Sequence, residues 1–132
     1  MIYCSRFGYT PTVKVLEDAE EAEGQAAYDD ILVAFIQAEA EDEADLAGVE
    51  KKLSKNLKWA AGKNNTRRLM LHSFAHLSDS KASPEFTLEV FRKAEDRLKN
   101  TDYEVFTTPF GYFLDLDMQA PGFSLARIFK SF

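Results

Sequence analysis

The chain has 132 residues and is 45% hydrophobic, with 11 Phe, 5 Tyr and a single Cys. That suffices for one domain over residues 1–132, burying about two-thirds of the surface its unfolded chain exposes. The formal net charge of -6 argues against broad, phosphate-driven nucleic-acid binding, which needs clustered Lys and Arg.

Much of that acidity sits in residues 17–23 and 39–45, so a less acidic face remains available. Cys4 alone permits no intramolecular disulfide, and a reducing cytoplasm is the simplest setting. With two His and no Cys pair, neither a metal nor a cofactor is expected. The start, Met1-Ile2-Tyr3-Cys4-Ser5-Arg6, lacks the charged opening and long apolar stretch of a signal peptide. No run approaches the length of a membrane span.

Residues 2–7 and 12–16 read as two short strands around the turn-like Gly8-Tyr9-Thr10-Pro11. An acidic loop is expected over 17–25. Residues 30–36 form a continuous apolar run, the pattern of a central strand buried on both faces. Leu46, Val49, Leu53, Leu57 and Ala61 recur at steps of three and four, which predicts a helix over 42–61, ended by Gly62-Lys63-Asn64-Asn65. A strand follows over 68–74.

Ser83-Pro84-Glu85 has the form of a helix start: a capping hydroxyl, proline in the first turn, then an acid at the positive end of the dipole. Leu88, Phe91, Ala94 and Leu98 would be its buried face, over Pro84–Lys99. Strands at 103–107 and 112–118 are joined through Pro109-Phe110-Gly111, and Pro121-Gly122 breaks the chain before a short, helix-like tail. The order predicts an α/β domain with a mixed or antiparallel sheet and two main packed helices.

Two motifs stand at strand ends. His76 precedes Leu77-Ser78-Asp79-Ser80, where a loop exposes an imidazole able to act as base or hydrogen-bond partner. A loop histidine bonded to backbone is the competing reading, and His72 reads as a partly buried strand residue. Pro109-Phe110-Gly111-Tyr112 is the second motif. Its proline fixes the strand junction, its glycine allows close backbone approach, and Phe110 and Tyr112 offer flat surfaces for a base. A hairpin with aromatic core residues is the competing reading.

Residues 31–36, Ser73-Phe74-Ala75-His76-Leu77-Ser78 and Pro109-Phe110-Gly111-Tyr112-Phe113, in that order, resemble the N-terminal editing domain of archaeal threonyl-tRNA synthetases, which has the D-aminoacyl-tRNA deacylase fold. The Ser83-Pro84 start and the Leu125-Ala126 tail also fit. The resemblance implies hydrolysis of seryl-threonine tRNA in a pocket for the aminoacyl-tRNA 3′ end. His76 and Tyr112 would be its catalytic residues, and Ser78, Pro109, Phe110, Gly111 and Phe113 would hold the substrate. Leu114 stands where the family carries a lysine, and Arg127 where it carries a glutamate. A chain of this length is expected to act as a freestanding domain. Two further readings remain open: a non-catalytic module binding a tRNA end, a nucleoside or a protein, and a homodimer, since folds of this kind often pair.

Overall fold

In the computed structural model, which describes residues 1–22 and 24–132, the apolar run at 31–36 lies in the middle strand of five. The strands are β1 (Ile2–Lys14), β2 (Ala26–Ile36), β3 (Arg68–Ser73), β4 (Glu104–Thr107) and β5 (Tyr112–Gln119). They lie in the order β4-β3-β2-β1-β5. β2, β3 and β4 run parallel to one another, while β1 is antiparallel to both β2 and β5. The sheet is therefore mixed. Ile31, Leu32, Val33 and Ala34 are all buried, as a central strand between two apolar layers requires.

Two helices make the crossovers: α1 (Leu46–Lys63) joins β2 to β3, and α2 (Pro84–Lys99) joins β3 to β4. Both crossovers step the same way across the sheet, so the usual right-handed connection puts both helices on one face. The core divides accordingly. Leu53, Leu57, Phe91, Ala94 and Leu98 from the helices pack on Leu32, Leu69 and Leu71. Cys4, Phe7, Ile31, Val33 and Met70 form a second cluster on the face without helices. Each fully buried Leu or Phe stabilises the fold by about 1.5–3 kcal/mol.

α2 begins where the Ser83-Pro84 signal placed it, with the Ser83 hydroxyl accepting from the Phe86 N–H at 3.1 Å. α1 starts later than position 42. Residues Ala40–Ala44 form a separate 3-10 turn, and Asp45 caps α1 by accepting from the Gly48 N–H. On α2, Thr87 and Val90 are buried beside Phe91, Ala94 and Leu98, whereas Leu88 is half-buried; the first half of the buried stripe lies one residue to the N-terminal side of the expected one.

Three further expectations are corrected. The turn at 8–11 does not exist: β1 runs straight through it, and Pro11, with no N–H to give, sits beside a register shift against β5. Pro109-Phe110-Gly111 is not a hairpin, because β4 and β5 lie at opposite edges of the sheet. The tail has only one 3-10 turn, Ser124–Ala126. It then runs extended, exchanging backbone hydrogen bonds between Ile128 and Met1. The acidic loop expected at 17–25 includes residue 23, which lies outside the described residues.

Candidate functional site

β2, β3 and β4 point the same way, so their carboxyl ends converge at one end of the sheet, the usual place for ligands in parallel α/β structure. Gln37, immediately after β2, organises that end. Its Oε1 accepts from the N–H groups of Leu77 and Ser78 at 2.6 and 2.8 Å. Its Nε2 donates to the carbonyls of Ser78 and Ser80 at 2.9 and 2.8 Å. The Ser78 hydroxyl donates to Glu39 at 2.7 Å and accepts from the Ser80 N–H. One amide side chain thus satisfies four backbone groups of the loop that carries His76.

A cavity of about 530 Å³ opens at this end. Apolar residues of β2, α1 and α2 line it, among them Ile36, Leu53, Leu57 and Phe91, and Phe74, Leu77 and Ser78 close one side. Glu39 and Asp42 supply acidic groups to the wall, and the tail from Ile128 to Phe132 covers another flank.

The sequence candidates fall into three groups. Ser78 lines the cavity directly. His76 is exposed, and its ring meets Phe74 edge-on at 4.9 Å; Phe110 meets Phe91 edge-on at 6.1 Å. Each therefore abuts an aromatic residue of the cavity wall. Pro109 follows Thr108, which is buried, with its hydroxyl 2.9 Å from His72 Nδ1. Burial pushes the His72 imidazole down to about 4, so it is neutral at physiological pH.

The third group lies on the arm formed by β1 and β5. Tyr112 pairs with Lys14, and its hydroxyl accepts from the Ala22 N–H at 3.3 Å and donates to Glu21 at 3.4 Å. Gly111 has φ +87°, and its carbonyl accepts from Val15 and Leu16. A Cβ there would lie 2.7 Å from the Ala19 Cβ, so the chain itself makes the close approach that this glycine permits. Phe113 is 61% exposed opposite Val13, and Leu114 pairs with Pro11. Arg127 donates to the carbonyls of Pro121 and Ala120, which fixes its guanidinium on the tail. Among the described residues no contact and no shared cavity joins His76 to Tyr112.

Sequence reasoning passed over Gln37, Phe74 and the His72–Thr108 pair. A signal existed for the first: a long polar side chain directly after a fully apolar parallel strand stands where unsatisfied loop backbone must be met. Among the described residues no group of three His, Cys, Asp or Glu is placed to hold a metal ion, and no helix is long and apolar enough to cross a membrane.

Over residues 1–132 the chain matches the family described as the archaea-specific editing domain of threonyl-tRNA synthetase. It is similar to the threonine–tRNA ligases of Thermococcus kodakarensis and Thermococcus gammatolerans, each 31% identical over 134 residues and covering 99% of this chain but 21% of the relative. The ligase of Methanobrevibacter smithii is 30% identical over 117 residues, 89% of this chain and 19% of that protein. The chain spans about a fifth of the length of these relatives.

Proposed function

The chain belongs to the archaea-specific editing-domain family of threonyl-tRNA synthetase, and from that premise we propose that it hydrolyses the ester of a mischarged threonine tRNA, with serine the first amino acid to test. The observation that carries this reading is the cavity at the carboxyl ends of the parallel strands, flanked by the His76 loop. The terminal nucleoside would enter the apolar part, where the half-buried Phe74 supplies a flat wall, and the aminoacyl ester would lie toward Ser78.

Water attacks the ester carbonyl, the carbonyl oxygen gains negative charge, and the ribose oxygen leaves with a proton. Preorganised amides stabilise such an oxyanion without a side-chain triad. Gln37 already occupies the amides of Leu77 and Ser78. The neighbouring amides of Ala75 and His76, exposed in the same loop just outside the residues that line the cavity, are the donors this reading assigns to the oxyanion. The exposed His76 imidazole is close enough to the wall to hold water or the leaving oxygen.

A second reading, binding of a tRNA end without hydrolysis, is favoured by Leu114, which puts no cation on β5, and by Arg127, whose charge the tail carbonyls already use. Deacylation of a panel of aminoacyl-tRNAs by the purified protein separates the two. The hydrolytic reading expects turnover of seryl-threonine tRNA, a fall of about tenfold to a thousandfold in His76→Ala, and a gain in Leu114→Lys. No hydrolysis above the uncatalysed rate on any tRNA, and none gained by Leu114→Lys, ends the hydrolytic reading and leaves the binding module.

A further inference from the structure

The two helices carry charge in opposite styles. α2 has four acids (Glu85, Glu89, Glu95, Asp96) and four bases (Arg92, Lys93, Arg97, Lys99), with Glu89–Lys93 and Glu95–Lys99 paired one turn apart. That is the pattern of a solvated face. α1 has five lysines and one acid. The acid, Glu50, is buried and held by Arg97 of α2 at 2.8 Å and by the Ser54 hydroxyl, so it does not screen the outer face.

At 100° per residue, Lys51, Lys52, Lys55, Lys58, Lys63 and Trp59 fall within about 140° of arc. Lys51, Lys52, Lys55 and Lys63 are exposed, and Trp59 is 43% exposed. The Trp59 ring carries two cations, Lys63 at 6.0 Å and Lys130 of the tail at 5.1 Å. From Lys51 to Lys63 the patch runs about 18 Å along the helix, the axial length of roughly five phosphates on one strand. In a chain of net charge -6, this is a segregated cationic stripe. It reaches the cavity through Lys130 and Asn56, both of which line it. At the other end of α1, Glu39, Glu41, Asp42, Glu43 and Asp45 bound it with negative charge.

We infer that the outer face of α1 is the docking surface for the phosphate backbone of the tRNA acceptor stem. The stem lies along Lys51, Lys55 and Lys58, and the strand end passes Trp59 and Lys130 toward the cavity. The acids at the wall turn phosphates away and admit only the terminal nucleoside. The direction of travel rests on the proposed function; the docking surface does not.

The test uses an uncharged threonine tRNA transcript and the fluorescence of Trp59, the only tryptophan in the chain. Wild-type protein is expected to bind with quenching and a steep loss of affinity between 50 and 200 mM salt, the range over which phosphate contacts are displaced (about one log unit of slope each). The triple variant Lys51→Glu, Lys55→Glu, Lys58→Glu is expected to bind at least about tenfold more weakly, with a salt slope smaller by roughly 2–3. A Lys93→Glu control on α2 is expected to change neither. Since these side chains lie on a solvent face, an unchanged circular dichroism melt checks that the variants are folded.

Hydrolysis of a short aminoacylated CCA fragment, which has no stem, keeps the two readings apart. Lysine-dependent tRNA binding by a protein that cleaves nothing upholds the surface and ends the hydrolytic reading. Fragment cleavage with tRNA binding indifferent to the three lysines ends the surface and leaves the hydrolytic reading standing. No tRNA binding at 50 mM salt, or lysine-dependent binding to anionic phospholipid vesicles in place of tRNA, also overturns the proposal.

Discussion

The carboxyl ends of β2, β3 and β4 and the arm formed by β1 and β5 are both irregular parts of the molecule, yet they are held in different ways. At the strand ends, side chains hold backbone: Gln37 binds four groups of the 77–80 segment, and Thr108 meets His72 beneath them. On the arm, the turn is held mainly by backbone: the Gly111 carbonyl takes two N–H groups, its missing side chain leaves room for Leu16 and Ala19, and the Tyr112 hydroxyl adds one bond to the Ala22 N–H. The first arrangement depends on particular side chains and leaves a cavity beside them. The second depends on one unusual φ angle and is filled by the chain itself. A site for a ligand is better placed in the first.

The largest effect that would break this contrast is at Gln37. Gln37→Ala removes four neutral hydrogen bonds, each worth about 1 kcal/mol, so a loss of about 3–4 kcal/mol is expected. Hydrogen exchange should quicken at Leu77, Ser78 and Ser80 and stay unchanged at Val15 and Leu16. Equal acceleration at both places would mean that the two regions do not open independently.

His72 gives a pH-dependent version of the same test. Its folded pKa, about 4, lies below the ordinary 6.5, so the unfolded chain binds more protons between these values. The stabilisation from keeping the ring neutral is therefore complete above pH 6.5 and is lost as pH falls toward 4. A drop of roughly 2–3 kcal/mol in unfolding free energy is expected across that window, measured by urea midpoints, and His72→Asn should flatten it.

Gly111→Ala probes the arm. The added methyl must adopt φ +87° and meets Ala19 at 2.7 Å, but the loop can shift, so a cost of about 1–2 kcal/mol is expected. Exchange should rise at Val15 and Leu16 and not in the 77–80 segment.

Legibility in the sequence followed the range of each signal. The start of α2 was readable because Ser83, Pro84 and Phe86 form the cap among themselves. The middle position of β2 was readable because four consecutive apolar residues suit no solvated strand. The placement of β5 was not readable. Pro109 and Gly111 announce a change of direction but carry no information on which edge the next strand joins, which depends on pairing with Lys14, nearly a hundred residues earlier in the chain. For the same reason the sequence set His76 and Tyr112 at two strand ends without specifying the distance between them. The cavity was equally hidden, since its walls come from β2, α1, α2 and the tail.

The smallest stability effect belongs to Phe113, and there the comparison is sharpest. Its ring is 61% exposed and stands opposite Val13, itself 54% exposed, on a part of β1 that pairs only with β5. A solvated cross-strand pair contributes only about 0.2–1 kcal/mol. Phe113→Ser is therefore expected to lower stability by about 0.5 kcal/mol, a shift of a few degrees at most in melting temperature. An aromatic ring that packing barely uses is available to a ligand, whereas Phe110 is committed to Phe91. If the arm contributes Phe113 to the substrate, Phe113→Ser should raise the KM for aminoacyl-tRNA by about tenfold while the melt stays nearly unchanged. An unchanged KM would confine substrate contacts to the strand-end side, and a melting loss several times larger than expected would make Phe113 a packing residue.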